Sequence, residues 1–150
     1  MEQNTVTHSA QETRDFGQKL AGEISPGTLL CLRGDLGAGK TTLVQGLLEG
    51  LGAERPYVSP TFVIMKQYDL LSPSTTGTTR VYHADAYRVE AKDFTEIGFT
   101  EWCADPQGLV ILEWPEHIAD ILPEKRIDIT ITSLSETERE ITYKEKTATM

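Results

Sequence analysis

The first amphipathic segment of the chain spans residues 10–23. Its apolar side chains recur at helical spacing, and Ser9 followed three residues later by Glu12 forms a capping box at its start. We therefore predict a helix from Ala10 to Glu23, with a short strand before it at residues 4–7. One face of this helix is apolar and should be buried: Phe16, Leu20 and Ile24.

An uninterrupted apolar run follows at residues 29–32, and this pattern is typical of a strand buried on both faces. After a glycine-rich stretch, a second amphipathic segment begins, and Gly50 and Gly52 are expected to end it. The sequence thus predicts a strand, a turn and a helix in succession. The apolar face of this second helix comprises Leu43, Val44, Leu47, Leu48 and Leu51.

The rest of the chain shows short strand and helix patterns. A proline-containing loop at residues 53–61 comes first, and the connection at residues 72–79 has no apolar side chain, so we expect it to be exposed and mobile. The last two strands should form a hairpin. Strands are predicted at residues 62–68, 80–85, 109–112, 126–132 and 138–144, and short helices at 93–102 and 114–121.

The glycine-rich stretch at residues 34–41, GDLGAGKT, fits the phosphate-binding pattern G-x-x-x-x-G-K-[ST]. Its glycines let backbone N–H groups face phosphate oxygens, and the next helix adds the positive end of its dipole. Lys40 should reach the β- and γ-phosphates, and the Thr41 hydroxyl should bind magnesium. The predicted nucleotide-binding residues here are Asp35, Leu36, Gly37, Ala38, Gly39, Lys40, Thr41 and Thr42.

Together these elements predict an α/β fold. We expect a three-layer P-loop NTPase architecture, with a mixed, mostly parallel sheet and an antiparallel carboxyl-terminal edge. The length of 150 residues favours a single domain, residues 1–150, that is large enough for a substantial core.

Composition and charge restrict the classes of function. With 39% hydrophobic and 25% charged residues, and no apolar run of membrane-spanning length, the chain has the composition of a soluble protein. Its net charge of −9 argues against a broad nucleic-acid surface. Cys31 and Cys103 show no metal or redox spacing, and Cys31 is expected to be a small buried hydrophobe. The amino terminus lacks a signal-peptide pattern, so we expect a cytoplasmic location.

Hydrolysis of a bound nucleotide also needs carboxylates, and two stand at the ends of predicted strands. Glu113 follows the apolar run 109–112 in the Walker B arrangement, and Asp85 follows residues 81–84. We predict Lys40, Asp85 and Glu113 as catalytic residues. Thr41, Glu113 and Asp85 are the predicted magnesium ligands, and the sequence leaves open which carboxylate holds the metal and which orients water. The alternative for Glu113 is an ordinary surface glutamate that ends a strand. The alternative for Asp85 is a local ion pair with Arg88.

Five other polar or aromatic residues have two interpretations each. His83 is either a packed, hydrogen-bonded histidine or a catalyst, and Trp114 either stacks on a base or packs. Arg80 and Arg88 either stabilise γ-phosphate charge or are ordinary surface or structural arginines. Thr61 is either a sensor of the γ-phosphate or a capping residue.

Two absent motifs bear on the choice of function. The chain has no N-K-x-D sequence, the guanine-reading element of GTPases, and no arginine-rich lid segment of the kind that small-molecule kinases close over ATP. We therefore favour an ATPase that drives a conformational cycle. A small-molecule kinase, and a nucleotide-dependent binding module without useful turnover, stay open as alternatives.

Four ordered motifs make the chain similar to the bacterial TsaE (YjeE) family, the P-loop ATPases of tRNA threonylcarbamoyladenosine biosynthesis. They lie at residues 34–42 (GDLGAGKTT), 59–62 (SPTF), 83–88 (HADAYR) and 112–116 (LEWPE). The resemblance implies a compact α/β fold, ATP and Mg²⁺ binding, weak hydrolysis by the chain alone, and action through a complex with TsaB and TsaD.

The same resemblance implies roles for individual residues. Thr41 and Glu113 would hold magnesium, and Thr13 and Trp114 would lie around the nucleotide. The chain matches the family poorly after Leu134, so nothing is carried over there. The resemblance also implies two switch-like segments, residues 59–62 and 83–88, which contain Ser59, Thr61, His83 and Arg88.

Overall fold

Seven strands form one sheet in the computed structural model, which describes residues 2–35, 37–60 and 63–147. The strands are β1 (Glu2–Thr7), β2 (Thr28–Arg33), β3 (Met65–Asp69), β4 (Arg80–Asp85), β5 (Gly108–Glu113), β6 (Arg126–Ser133) and β7 (Arg139–Lys146). The helices are α1 (Ala10–Ala21), α2 (Lys40–Leu51), α3 (Ala91–Glu96), α4 (Phe99–Ala104) and a 3₁₀ helix (Pro115–Ile121).

The strands lie in the order β1-β7-β6-β2-β5-β4-β3. The pairs among β6, β2, β5 and β4 are parallel, whereas β3 pairs antiparallel with β4, β7 with β6 and β1 with β7. The mixed α/β sheet and the antiparallel carboxyl-terminal hairpin confirm the predicted fold class. Two details differ: parallel and antiparallel pairs are equal in number among the described strands, and β1, rather than β7, forms that edge.

The amino-terminal helix begins where the sequence predicts. Ser9 Oγ accepts the N–H of Glu12 at 3.1 Å, which satisfies one unpaired donor of the first turn of α1. The Glu12 carboxylate accepts the N–H of His8 at 2.9 Å, rather than that of Ser9 as in a standard capping box. The helix ends at Ala21, two residues before the predicted end.

Glycines determine how closely α1 and α2 pack. A Cβ on Gly17 or Gly46 would overlap backbone carbonyl oxygens of the other helix, so the two helices meet backbone to backbone. Gly50 was expected to end α2, but it lies inside the helix, where a Cβ would meet α1. Gly52, with φ of 84°, ends α2 as predicted, because the left-handed conformation favours glycine.

Helices cover both faces of the sheet and create two cores. On one face of the sheet, the leucines of α1 and α2 pack with the isoleucines of β6. On the other face, Phe94 of α3 and Phe99 and Trp102 of α4 form a second core, which includes a residue of the 3₁₀ helix. Cys31 is fully buried, as predicted, and burial raises the pKa of its thiol to about 12. Within the described ranges, no helix is both long and apolar enough to cross a bilayer.

The connection between β3 and β4 is partly packed. Thr78 is fully buried, and the Thr76 hydroxyl donates to the carbonyl of Ile24 at 2.7 Å. Ser74 Oγ accepts the N–H of Thr78 at 3.0 Å. Hydrogen bonds of the Thr76 and Ser74 hydroxyls therefore hold this connection in place, although it has no apolar side chain. The prediction that the connection is exposed is wrong for Thr78. The start of β3 also differs, since the strand begins at Met65 and not at residue 62, which lies outside the described residues.

Candidate functional site

The loop between β2 and α2 is shaped by glycine. Gly37 and Gly39 have φ of 79° and 108°, a range that side-chain-bearing residues rarely adopt. Gly39 is also the N-cap of α2, and no side chain caps this helix. The first N–H groups of α2 and the positive end of its dipole are therefore available to an anion. Leu36, predicted to bind nucleotide, lies outside the described residues.

Lys40, the first residue of α2, carries a buried ammonium group. The residue is 6% exposed, and its Nζ has no hydrogen-bond partner in the described part of the chain. Nζ lies 3.8 Å from the centroid of the Trp114 ring. Burial lowers the pKa of Lys40, and this effect is opposed by four nearby carboxylates, those of Glu113, Glu116, Asp85 and Asp35.

The two predicted carboxylates end neighbouring strands. Asp85 on β4 pairs with Glu113 on β5 in the parallel register, so both residues lie at the carboxyl edge of the sheet beside the P-loop. A cavity of about 330 Å³ opens there. The cavity is lined by the predicted residues Gly37, Gly39, Lys40, Thr41, Thr42, Ser59, Asp85, Glu113 and Trp114, and also by Arg139.

Each carboxylate is oriented by a hydrogen bond. The Asp85 Oδ1 accepts the N–H of Tyr87 at 2.7 Å, and the Glu113 Oε2 lies 2.6 Å from the His83 Nε2. The side chains of His83 and Glu113 are 5% and 12% exposed. Of its two interpretations, His83 is therefore packed and hydrogen-bonded, in contact with a predicted catalytic residue.

The cavity has the chemistry that a magnesium nucleotide requires. No group of three or more His, Cys, Asp or Glu side chains among residues 2–35, 37–60 and 63–147 could hold a metal by itself. In nucleotide sites, however, Mg²⁺ usually takes one or two carboxylates and obtains its other ligands from phosphates and water. Thr41, Asp85 and Glu113 fit that requirement, and the unpartnered ammonium of Lys40 fits a phosphate.

Trp114 packs into an aromatic cluster at the mouth of the cavity. It has φ of 59°, an unusual conformation for a residue with a side chain, and its ring centroid lies 5.0 Å from that of Tyr87 and 5.8 Å from that of His117. The same ring contacts Lys40. Of its two interpretations, packing is therefore the one for which the structure provides contacts.

Arg139, at the start of β7, is the site residue that the sequence analysis missed. Its Nε lies 3.6 Å from the position that a Cβ on Gly39 would occupy, and its Nη1 donates to the carbonyls of Ser135 and Glu138 at 2.8 and 2.9 Å. The predicted hairpin brings β7 beside β6. The sequence pattern alone does not show that Arg139 reaches the P-loop.

Thr13, which the family resemblance implies near the nucleotide, lies beside the P-loop. It is buried in the second turn of α1, with its hydroxyl 2.7 Å from that of Thr7, and it lines a cavity of about 240 Å³ together with Gly39 and Thr42. This cavity adjoins the P-loop on the side of Arg139. Asp35 and Ala38 line a further groove of about 480 Å³ beside Trp114.

The other predicted residues have different positions. Arg80 lies at the amino end of β4, at the other end of the strand from Asp85, and pairs with Asp105, so of its two interpretations it is a structural arginine. Arg88 is exposed just after β4. Thr61 lies outside the described residues.

Comparison with known proteins gives a consistent result. Residues 7–141 match the family model described as "Threonylcarbamoyl adenosine biosynthesis protein TsaE". The tRNA threonylcarbamoyladenosine biosynthesis protein TsaE of Bacillus subtilis is 39% identical over 137 residues, which cover 91% of this chain and 82% of that protein. The protein of the same name from Treponema pallidum is 37% identical over 138 residues, or 91% of this chain and 96% of the relative.

The similarity extends to three-dimensional structure. The crystal structure of YdiB from Bacillus subtilis aligns with a TM-score of 0.76 and 33% identity, over 98% of this chain and 87% of YdiB. Family model, relatives and solved structure thus agree over nearly the whole chain, and the range matched by the family model, residues 7–141, contains the P-loop, Asp85 and Glu113. The chain belongs to the TsaE family of threonylcarbamoyl adenosine biosynthesis proteins.

Proposed function

We propose that this chain binds ATP with Mg²⁺ and hydrolyses it weakly, and that this cycle serves tRNA threonylcarbamoyladenosine biosynthesis. One observation carries the proposal. The buried Lys40 ammonium has no hydrogen-bond partner in the described residues, and it stands at the first turn of α2 beside Asp85 and Glu113. Burying such a group costs free energy, and a triphosphate would offset that cost.

In this proposal the phosphates are bound mainly by α2 and the loop before it. The N–H groups of residues 37–42 and the Lys40 ammonium bind the β- and γ-phosphates. Arg139 approaches the phosphates from the side of β7. Among the described residues, Lys40 and Arg139 thus approach the P-loop from different sides, and both line the same cavity.

The metal would be held by Thr41 and the two carboxylates. Thr41 and Glu113 are proposed as direct ligands, and Asp85 either joins them or orients the attacking water. Bound Mg²⁺ would neutralise charge that develops on the phosphate oxygens. Hydrogen bonds from His83 and the Tyr87 N–H hold the two carboxylates in place before any ligand arrives.

We propose TsaB and TsaD as the proteins that respond to the nucleotide. Large apolar side chains are exposed within the switch-like segments or next to them in the sequence, namely Val58, Val63 and Tyr87 at 38%, 54% and 48%. Such side chains are typical of contact surfaces when they cluster. The net charge of −9 also favours a protein partner over tRNA itself. The free thiols of Cys31 and Cys103 suit the proposed cytoplasmic location.

The test replaces the two key residues separately. Lys40→Ala should abolish ATP binding, measured by calorimetry, and Glu113→Ala should reduce phosphate release in the presence of TsaB and TsaD by a factor on the order of 10² or more. Lys92→Ala, which removes an exposed lysine from α3, is the matched control and should behave as the unaltered protein. If both site variants hydrolyse ATP and support tRNA modification normally, the proposal fails.

Product analysis separates the alternatives. An ATPase releases only inorganic phosphate and ADP, whereas a small-molecule kinase transfers the γ-phosphate to an acceptor from a metabolite pool. A binding module without turnover would show ATP-dependent binding to TsaB and TsaD but no phosphate release over many turnovers.

A further inference from the structure

We propose that His83 is a positioning residue for Glu113: its Nε2–H holds one carboxylate oxygen, so that the other faces the P-loop cavity in the geometry the metal requires. This inference rests on the proposed function, because it concerns how the chain prepares a ligand for Mg²⁺. It assigns His83 a specific action, beyond membership of a switch-like segment.

The hydrogen bond itself determines which atom donates. Glu113 Oε2 and His83 Nε2 are 2.6 Å apart, a short distance for a nitrogen–oxygen pair. An ionised carboxylate only accepts hydrogen bonds, so Nε2 carries the hydrogen. His83 therefore occupies Oε2 and leaves Oε1 to other ligands.

The parallel strands fix both side chains on one side of the sheet. His83 pairs with Ile111 in the register of β4 and β5, and Glu113 follows Ile111 by two residues on the same face. That face is the one covered by α2, whose Thr41 lines the same cavities as Glu113. The His83 side chain is 5% exposed, so packing restricts its rotamers and the direction of its N–H.

The surroundings show that the contact is more than general packing. His83 and Glu113 line a small cavity of about 30 Å³, roughly the volume of one water molecule, together with Val58 and Ser59. The second ring nitrogen of His83, Nδ1, is buried without a hydrogen-bond partner in the described residues. A histidine retained only for stability would be expected to satisfy both nitrogens. In His83, only Nε2, which faces the Glu113 carboxylate, has a hydrogen-bond partner among the described residues.

The choice of an imidazole donor suits a metal ligand. A lysine or arginine in the same place would pair with Glu113 and compete with the metal for its charge. An imidazole N–H orients the carboxylate while leaving it available. Removing such an outer-shell partner typically costs 10- to 100-fold in metal affinity, so we expect an effect of about that size.

Three variants of His83 separate the donor from the ring. His83→Gln can present a side-chain N–H near the position of Nε2, whereas the shorter amide of His83→Asn lies near that of Nδ1. His83→Phe keeps a flat ring with no donor. The probe is a non-hydrolysable ATP analogue, and its binding is measured over a series of Mg²⁺ concentrations and again in EDTA.

We expect the Phe and Asn variants to need about 10- to 100-fold more Mg²⁺ for half-maximal enhancement of binding. Binding in EDTA should stay unchanged, because His83 is not among the residues that line the P-loop cavity, and the Gln variant should resemble the unaltered protein. A purely structural role would instead alter binding with and without metal alike. The Gln and Asn comparison keeps the test decisive if the Phe variant fails to fold.

A second arm uses the Glu113→Gln background. If His83 acts only through Glu113, adding His83→Phe to Glu113→Gln should change the Mg²⁺ requirement no further. The inference is overturned if the Phe and Asn variants need no more Mg²⁺ than the unaltered protein, or if the effect of His83→Phe persists without the Glu113 carboxylate. Failure of the proposed function is distinguishable, because the unaltered protein would then either not bind the analogue or bind it without any dependence on Mg²⁺.

Discussion

The two ends of β4 differ in how their charged side chains are paired. At the amino end, Arg80 donates to both oxygens of Asp105 at 2.7 and 3.0 Å, and the Tyr82 hydroxyl donates to Asp105 at 2.7 Å. At the carboxyl end, Lys40 Nζ and His83 Nδ1 have no hydrogen-bond partner among the described residues. Because unsatisfied buried groups cost stability, the amino end stabilises the fold and the carboxyl end is organised for binding.

The shifts in pKa follow the same division. The hydrogen bond from Arg80 holds the pKa of Asp105 well below its ordinary value, so the folded protein stabilises the ionised carboxylate at the amino end of β4. Burial lowers the pKa of Lys40, so the folded protein disfavours the charged ammonium beside the carboxyl end of β4. A charge held at a cost in a cavity is typical of a binding site, whereas a satisfied charge is typical of a structural pair.

The largest effect is expected from Lys40→Met. The methionine removes a buried, unpartnered ammonium, so the melting temperature without ligand should stay the same or rise. Affinity for ATP should fall by a factor on the order of 10² or more, because a charge-assisted contact with phosphate is lost. Calorimetry measures both quantities.

Arg80→Met is the matched control for this exchange, since it makes the same substitution type at the other end of the strand. It should lower the melting temperature and leave ATP affinity unchanged. The functional division between the ends of β4 would be refuted if Lys40→Met unfolded the protein, or if Arg80→Met weakened ATP binding.

A smaller effect is expected from Asp105→Asn at the amino end. The amide cannot accept at both positions as the carboxylate does, so the free energy of unfolding should fall by about 1–2 kcal/mol. Tyr82→Phe removes only one donor and should cost about half as much. Urea denaturation measures both losses, and ATP affinity should be unaffected. A weaker affinity for ATP in either variant would contradict the comparison.

Local patterns predicted the elements and the residues at strand ends. The capping box at Ser9, the glycines of the P-loop and the apolar run before Glu113 all act over a few residues, so their structural consequences can be inferred from the sequence. Lys40, Thr41, Asp85 and Glu113 could be predicted together because the carboxyl ends of parallel strands share one edge.

Contacts between distant segments could not be predicted in this way. Arg80 and Asp105 are 25 residues apart, and His83 and Glu113 are 30 apart. No pattern within either segment specifies the partner. Arg139 reaches the P-loop only because β7 returns beside β6, and the edge position of β1 depends on β7 in the same way. These features depend on strand order, which composition and periodicity leave undetermined.

Acid should remove the stabilisation that Asp105 provides. Its folded-state pKa lies below the unfolded value of about 3.9, so its contribution is complete above that pH and is lost as the pH falls further toward the folded pKa. The difference in unfolding free energy between the unaltered protein and Asp105→Asn should therefore be full at about pH 7 and smaller at about pH 3. Urea denaturation at both pH values tests this, and an equal difference at the two would contradict it.

The smallest effect distinguishes the two tryptophans of the chain. Trp102 is buried and stacks on Tyr82 with ring centroids 6.0 Å apart, whereas Trp114 contacts the Lys40 ammonium. Nucleotide binding should draw that ammonium from the Trp114 ring toward the phosphates. A desolvated cation–π contact is worth about 2 kcal/mol, and charge-assisted contacts with the phosphates would replace it.

Single-tryptophan variants make this expectation measurable by fluorescence. In Trp102→Phe, the emission of Trp114 should change when ATP and Mg²⁺ are added, and the further substitution Lys40→Met should remove the change. In Trp114→Phe, the emission of Trp102 should stay constant, because its neighbours Tyr82 and Phe94 belong to the packed core. Equal responses from both tryptophans would show that nucleotide binding rearranges the whole sheet, and the two ends of β4 would then no longer be independent.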